Sequence, residues 1–395
     1  MSRFLLGVTN HSWGAAMSVR KRRWITSKGE TKEAWIVDYV DGQGDRQHET
    51  FARKKDADAY HDQVKVDVRK GTHIPPSKSP TVAEAAERWL ADVDGRGRER
   101  TTLAQYREHV RLHILPLIGG NTKLAALSPD SVEAFRDKLL KKLSRPLARK
   151  VLISFKSLLK ASRYSHVAAG VSIGSDKRKR RLEAGRDFPT TSEVSRVLNA
   201  AKGDMKWRAF LLVVCFCGLR SSELRGLRWS DVDLKACELH VRQRVDHYGA
   251  VGRLKSDTSA RTIPLDRDVM IPALMEWKVK CPPSEFVFPS STGHSEHPAS
   301  IMRGLTPYMA AAGVARTDED GEPRHKYGLH AFRHFFASWC INPKARGGRE
   351  LPPKEVQGLL GHSSIMMTMD TYGHLFPAKS DRAELSAAVA KLVAG

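Results

Sequence analysis

The sequence predicts a multidomain protein with a small β/α N-terminal domain, an all-α helical bundle, and a mixed, mainly α-helical domain that contains a small β-sheet. The length of 395 residues corresponds to two to four domains at roughly 100–200 residues each. Two segments without hydrophobic periodicity, residues 71–80 and 171–186, are interpreted as linkers because prolines, serines or a run of basic residues dominate them. The predicted domains therefore cover residues 17–71, 80–171 and 187–395.

The first domain begins at Met17, because residues 1–16 show no periodicity. Alternating apolar and polar residues predict a strand from Trp35 to Val40 and a second strand at 47–51, with a turn between them. A helix is expected at 56–70. Its apolar face consists of Ala57, Tyr60, Val64 and Val68.

Four helices are predicted in the second domain. The first two span 81–93 and 101–115, and Pro116 together with Gly119 and Gly120 is expected to end the second. Ser128 and Pro129 open the third helix as N-cap and first-turn proline. The fourth spans 146–162, and four helices of this size form a compact bundle.

The third domain combines helices with strands. Thr190 to Glu193 is a capping box, and a buried helix at 206–217 is expected to stop at Gly218. Strands are predicted at 238–245 and 261–265, joined by a polar loop, and helices return from Pro298 onwards.

Composition restricts the partners and the compartment. The formal net charge is +22, and the basic excess occurs in all three domains, which predicts a polyanionic partner such as a nucleic acid duplex. The sequence has neither a transmembrane stretch nor a secretion signal, so no membrane association is expected. Five cysteines without zinc-finger spacing are typical of reduced thiols in a cytoplasmic protein.

Four separated clusters in the third domain carry residue types that suit a phosphodiester. Cleavage of such a bond without a metal needs cationic donors on the nonbridging oxygens, and arginine supplies two parallel hydrogen bonds at any working pH. Arg220 and Arg333 are the candidates, and His330 lies on the same helix face as Arg333. The clusters are Gly218 to Leu224, Lys255 with its polar loop, His330 to Arg333, and Leu360 to His362 followed by Tyr372.

Together and in this order, the clusters resemble the signature of the tyrosine recombinases, also called phage integrases. The resemblance implies a nucleophile at Tyr372, which attacks the scissile phosphate to form a 3′-phosphotyrosyl bond and release a 5′-hydroxyl. Lys255 is implied as general acid and His330 as an aid to proton transfer. His362 is implied as a hydrogen-bond donor to a nonbridging oxygen, and we expect Glu223 to position the arginine box.

The resemblance also implies partners. The third domain would be catalytic, the helical bundle would be a core-binding domain, and the β/α domain would bind arm-type DNA. Double-stranded DNA attachment sites, a homotetramer on paired sites, and a DNA-bending protein or directionality factor are the implied partners. The covalent mechanism needs no cofactor. Metal binding is disfavoured because Ala331 stands where an HExxH helix has glutamate.

Two other functions fit parts of this pattern. One is a catalytically inactive DNA-binding regulator on the same fold, against which the intact residue set argues. The other is a type IB topoisomerase-like relaxing enzyme, which shares the nucleophile and is disfavoured by the three-domain organisation. The C-terminal tail, residues 380–393, has helical spacing and either closes its own domain or docks on a neighbouring subunit.

Overall fold

The structure of the chain is a computed structural model. It describes residues 17–25, 27, 29–41, 44–69, 75–174, 181–254, 256–376 and 382–394. The chain divides into two compact units, Met1–Lys177 and Arg178–Gly395. Residues 1–16 and Lys255 lie outside the described residues, as does most of the basic run at 177–181.

The first unit opens with a three-stranded antiparallel sheet in the order β1-β2-β3, and one helix covers it. The elements are β1 (Ser18–Ile25), β2 (Thr31–Val40), β3 (Arg46–Phe51) and α1 (Lys54–Arg69). Val37, Tyr39, Ala57 and Val64 form its buried core. The two expected strands and the helix are confirmed, whereas β1 was missed because its exposed residues, mostly basic, show no apolar alternation.

The segment between the sheet and the bundle contacts both. Lys78 Nζ lies 2.5 Å from Asp45 Oδ2 and 3.5 Å from Asp41 Oδ2, in the turn between β2 and β3. Lys123 Nζ donates to the carbonyl oxygen of Ser77 at 3.2 Å. Tyr164 of the bundle donates from its hydroxyl to Ser79 Oγ at 3.0 Å. These contacts place the sheet and the bundle in one compact unit, and their division into two domains remains a prediction.

The bundle contains the four predicted helices around one apolar core. Thr81 and Ser128 are N-caps, and Pro129 begins its helix as expected. Leu139, Val151, Phe155 and Leu158 are fully buried between the helices. The elements are α2 (Val82–Gly95), α3 (Arg100–His109), α4 (Leu115–Ile118), α5 (Pro129–Lys142) and α6 (Arg145–Ala161).

The second helix was expected to end at residue 115, before Pro116 and the glycines Gly119 and Gly120, but the helical path continues through Pro116 and ends at Gly119. A π-helical turn at Val110–Ile114 connects α3 to α4, and the helical path continues to Ile118. A proline ring clashes with the carbonyl four residues earlier in a regular α-helix. The wider π turn precedes Leu115 and Pro116. The helical path ends at Gly119, which adopts φ +98°.

The second unit begins with three helices and a small sheet. The helices are α7 (Thr191–Ala200), α8 (Met205–Phe216) and α9 (Ser221–Arg225). Thr190 and Glu193 form the predicted capping box. The three-stranded sheet has the order β4-β5-β8, and its strands are β4 (Val232–Asp233), β5 (Glu238–Val241) and β8 (Arg261–Pro264).

Two expectations for this unit were wrong in detail. The strand expected at 238–245 is broken after Val241, and a separate two-stranded hairpin follows, β6 (Arg244–Val245) with β7 (Val251–Gly252). A helix, α10 (Met270–Lys280), and a hairpin of β9 (Ala315–Thr317) with β10 (Pro323–His325) were not predicted. Strands of two or three residues are too short for their alternation to be recognised.

The remaining helices complete the second unit. They are α11 (Pro298–Ala311), α12 (Leu329–Ile341), α13 (Pro353–Leu360), α14 (Ile365–Tyr372) and α15 (Arg382–Val393). Helix α12 lies in the centre, since its Phe332, Phe335 and Ala337 are buried. The predicted fold class, a mainly helical multidomain protein with small sheets, is confirmed. Among the residues that the structure describes, no helix is long and apolar enough to span a bilayer.

Candidate active site

Two arginines from distant parts of the sequence are fixed beside each other by backbone carbonyl groups. Arg333, on α12, is 2% exposed and donates to the carbonyl oxygens of Gly218 at 2.6 Å and Leu360 at 2.7 Å. Arg220, directly before α9, donates to the carbonyl oxygen of Gly361 at 2.8 Å. Because both side chains donate hydrogen bonds to adjacent carbonyl groups at the end of α13, the two guanidinium groups lie near each other.

The charge of this arginine pair is only partly compensated. Burial lowers the pKa of Arg333 to about 10, and the positive charge of Arg220 contributes to the shift. The carboxylate of Glu223 is nearby, and its negative charge raises the pKa of Arg333. A guanidinium held in this environment is stabilised when an anion approaches. The pair therefore forms a site for an anionic group.

Glu223 organises the arginines rather than facing solvent. Its carboxylate accepts from the Arg220 backbone N–H at 2.9 Å and from Arg220 Nη1 at 2.6 Å. It also accepts from Arg261 Nη2 at 2.8 Å. Burial raises the pKa of Glu223, but Arg261 and Arg220 outweigh burial and hold the pKa below its usual value. This geometry fits the expected positioning role of Glu223.

Arg261 is a member of the site that sequence reasoning missed. It begins β8, its side chain is 6% exposed, and it donates to the carbonyl oxygens of Leu359 at 2.7 Å and Ser259 at 3.0 Å. It thus connects the loop after Lys255 to α13. The sequence contained one indication of this role. Arg261 is a charged residue at the start of a predicted core strand, and a buried arginine needs hydrogen-bond or ion-pair partners.

The end of α13 and helix α14 bring the side chains of His362 and Tyr372 into the same region. His362 follows Gly361, which ends α13 with φ +64°. Its Nδ1 lies 2.9 Å from Thr368 Oγ1, and its ring is stacked on Tyr372 with centroids 6.4 Å apart. Burial, followed by the charges of Arg333 and Arg220, lowers the pKa of His362 to about 4.

Tyr372 is the last residue of α14 and is 2% exposed. Its hydroxyl lies 2.7 Å from Nδ1 of His334. Burial raises the pKa of Tyr372 to about 12, and the charge of Arg333 opposes this shift. The phenol is therefore protonated at neutral pH, and the positive charge of Arg333 acts on it.

His330 and His334 lie one turn apart on α12. Their rings contact edge to face, with centroids 4.5 Å apart. Burial, Arg333 and Arg220 lower the pKa of His330. The i, i+4 spacing of the two histidines matches that of an HExxH helix, and it places His334 on the helix face that carries His330. In the described parts of the chain, no three His, Cys, Asp or Glu side chains form a metal-type cluster.

The structure therefore gathers six of the seven residues singled out from the sequence and adds two more. The seventh, Lys255, lies between β7 and β8 and outside the described residues. The additional residues are Arg261 and His334. The gathered residues are Arg220, Glu223, His330, Arg333, His362 and Tyr372.

Taken together, a mainly helical domain and a cluster of arginines, histidines and one buried tyrosine define the class of protein, a tyrosine recombinase. Residues 188–379 match the phage integrase family, and residues 81–140 match its N-terminal SAM-like domain. The chain belongs to the phage integrase family, and it is a site-specific recombinase.

Relatives and solved structures agree with this assignment. A putative integrase/recombinase, y4rA, of Sinorhizobium fredii is 30% identical over 74% of this chain and 68% of its own length. A tyrosine recombinase XerC-like protein of Caldanaerobacter subterraneus is 23% identical over 84% of this chain and 88% of its own. Lambda integrase, solved as a tetramer bound to a Holliday junction, is 19% identical with a TM-score of 0.55 and covers 91% of this chain and 96% of that one.

Proposed function

We propose that the chain cuts and rejoins double-stranded DNA at defined attachment sites through a covalent 3′-phosphotyrosyl intermediate on Tyr372, and so integrates or excises a mobile element. The observation that carries this proposal is that Arg333 and Arg220 are held on adjacent carbonyl groups at the end of α13, while the charge of Arg333 acts on the buried Tyr372. A phosphodiester is the anionic group that such a pair binds, and a phenol is a nucleophile for its phosphorus.

In the proposed cleavage step, Tyr372 Oη forms a bond to phosphorus while the bond from phosphorus to the 5′-oxygen breaks. Arg220 and Arg333 hold the nonbridging oxygens, where charge must be stabilised in the transition state. His362 donates to the same oxygens. Lys255 protonates the leaving 5′-oxygen. His330 assists proton transfer, and Glu223 positions Arg220. Rejoining reverses these steps, so that no cofactor or metal enters the balance.

DNA binding is proposed for all three parts of the chain. The net charge of +22 favours counterion release from a duplex. We assign arm-type binding to residues 17–71, core-site binding to 80–171 and catalysis to 187–395. Lambda integrase has also been solved as a dimer bound to a core site, and this likeness in fold supports the assignment. A bending protein or directionality factor would help one subunit to reach two DNA segments.

A homotetramer on paired sites is part of this proposal. The tail helix α15 exposes Val389, Leu392 and Val393, which are 54%, 85% and 80% exposed. Such residues are suited either to closing their own domain or to docking on a neighbouring subunit. The proposed site of action is the cytoplasm. All five cysteines are free, which supports this assignment.

The test uses a nicked duplex that spans the junction between the element that encodes this chain and its host chromosome. Wild-type protein should form a covalent adduct with this duplex, including in chelator. Tyr372→Phe should abolish the adduct while DNA binding persists. The matched control is Tyr248→Phe, because Tyr248 is 50% exposed and lies in the β6–β7 hairpin.

Three results would contradict parts of the proposal. An adduct that persists in Tyr372→Phe would exclude this nucleophile, and binding without any adduct in wild-type protein would favour the inactive regulator. Relaxation of supercoiled DNA without two defined sites would instead indicate a topoisomerase-like activity.

A further inference from the structure

The hydrogen-bond partner of the Tyr372 hydroxyl is His334. The distance from Oη to Nδ1 is 2.7 Å, and the two rings contact edge to face with centroids 5.7 Å apart. His334 follows Arg333 on α12 and is partly buried. The residue with the proposed proton-transfer role, His330, contacts the ring of His334. The proton of the nucleophile is therefore closest to a residue without an assigned function.

The protonation states of the two side chains are compatible with a hydrogen bond that Tyr372 donates to His334. Burial lowers the pKa of His334 to about 4, with contributions from His330 and Arg333 and an opposing one from Asp187. The imidazole is thus neutral at pH 7 and offers one unprotonated nitrogen. Tyr372, with its raised pKa, keeps its proton. We assign the imidazole proton to Nε2, so that the phenol donates to Nδ1.

We propose that His334 is a catalytic residue that accepts the phenolic proton of Tyr372 during strand cleavage and returns it during rejoining. This inference rests on the proposed function. As the bond from Oη to phosphorus forms, the O–H bond breaks and its proton moves to Nδ1, which leaves an imidazolium. The bond from phosphorus to the 5′-oxygen breaks, and a separate acid protonates that oxygen. In rejoining, the imidazolium returns the proton to Oη as the phosphotyrosyl bond breaks.

The charges around His334 make this transfer dependent on DNA. Without DNA, burial and the positive charge of Arg333 oppose a positive charge on His334 and outweigh the favourable effect of Asp187. A phosphodiester bound between the arginines adds a negative charge, which favours the imidazolium. The phenolic oxygen also becomes far more acidic as it bonds to phosphorus. The proton therefore stays on Tyr372 in the free protein and moves only when substrate is attacked.

The experiment measures the rate of covalent adduct formation by the full chain on the nicked junction duplex. A second duplex carries sulfur in place of the leaving 5′-oxygen, so that the leaving group needs no proton. The variant is His334→Asn, whose Oδ1 can accept the same hydrogen bond but cannot take up a proton. The matched control is His240→Asn, since His240 also pairs through Nδ1 with a hydroxyl, that of Thr262 at 3.0 Å.

We expect His334→Asn to slow cleavage by about 10²–10⁴-fold, the usual contribution of a general base, with DNA binding unchanged. The sulfur substrate should not restore the rate, because the defect concerns the nucleophile. The acid limb of the pH–rate profile should disappear, and His240→Asn should behave like wild type. A wild-type rate and profile in His334→Asn would overturn the proposal, and a faster rate would show that His334 restrains Tyr372 instead.

Two further measurements separate the possible failures. If Tyr372→Phe still forms the adduct, the proposed function fails; if it is inactive while His334→Asn is fully active, only the role of His334 fails. Should His334→Asn not fold, histidine ¹⁵N spectra of wild type and Tyr372→Phe test the contact directly. One Nδ1 signal with acceptor character should shift on loss of the hydroxyl, and unchanged histidine signals would overturn the proposal.

Discussion

The hydroxyl oxygen of Tyr372 lies 2.7 Å from Nδ1 of His334, although 38 residues separate them in the sequence. Helix α12 supplies the histidine and α14 supplies the tyrosine. The same turn of α12 carries Arg333, which is anchored on the end of α13. The proposed nucleophile thus contacts the same turn of α12 that carries Arg333, the arginine proposed to bind the phosphate.

The buried histidines predict a pH dependence of stability. The pKa values of His334 and His362 are about 4 in the folded chain and about 6.5 when unfolded. As pH falls from about 6.5 to about 4, the two histidines become protonated in the unfolded state but remain largely neutral in the folded state. The contribution of these two neutral histidines to the free energy of unfolding is therefore complete above about pH 6.5, and it is lost progressively as pH falls towards about 4.

We expect the thermal unfolding midpoint of the second unit to fall as pH is lowered from 7 to 4.5. The double variant His334→Asn/His362→Asn should show a shallower dependence, because two titrating groups are removed. An equal pH dependence in wild type and the double variant would contradict the prediction. Calorimetry at a series of pH values provides the measurement.

Arg261 should contribute strongly to stability and to cleavage. Arg261→Met removes the ion pair with Glu223 and two hydrogen bonds to backbone carbonyls. Loss of one partner of a buried pair costs about 3 kcal/mol, and Arg220 should also lose its fixed position. Denaturant titration and the adduct assay measure the two effects.

The control for this change is Arg242→Met. Arg242 pairs with Asp231 at 3.4 Å, but its side chain is 62% exposed. Because Arg242 is well solvated, its loss should cost less than that of Arg261, about 1 kcal/mol, although the side chain of its partner Asp231 is 7% exposed. Equal destabilisation by the two variants would show that the buried position of Arg261 is unimportant.

Gly218 should not tolerate a side chain. It adopts φ +58°, and an added Cβ would lie 2.3 Å from Cδ1 of Phe336. Its carbonyl also accepts from Arg333. Gly218→Ala should reduce the free energy of unfolding by about 2–4 kcal/mol through backbone strain and overpacking.

Gly203→Ala is the matched control, because an added Cβ there meets nothing within 4 Å. Its effect should remain within about 0.5 kcal/mol. The two variants are compared by denaturant unfolding. A Gly218→Ala protein as stable as wild type would show that Phe336 can move away without cost.

The sequence alone predicted much of the helical framework. Ser128 and Thr190 were recognisable as N-caps, because capping depends on local contacts within one turn. Regular apolar spacing predicted the bundle helices for the same reason. Pro116 made the predicted second helix too short, since whether a proline ends a helix depends on the turn before it, whereas Gly119 was correctly expected to end it. Strand β1 lacked a readable pattern because its residues are exposed.

For the candidate site, residue types and their order were sufficient to predict six residues that the structure brings together, namely Arg220, Glu223, His330, Arg333, His362 and Tyr372. These residues are recognisable because phosphodiester chemistry needs particular functional groups, whatever surrounds them. Arg261 and His334 were not predicted, because their place in the site depends on contacts with residues far away in the sequence. Arg261 contacts Glu223 and Leu359. His334 contacts Tyr372.

The amino-acid sequence by itself determined the helices, the basic character of the chain and the family to which it belongs, because these follow from local spacing, composition and motif order. Only the tertiary structure decided which side chain faces the Tyr372 hydroxyl and which carbonyls hold the arginines. Such contacts join residues that are distant along the chain, and their geometry depends on how α12, α13 and α14 pack together.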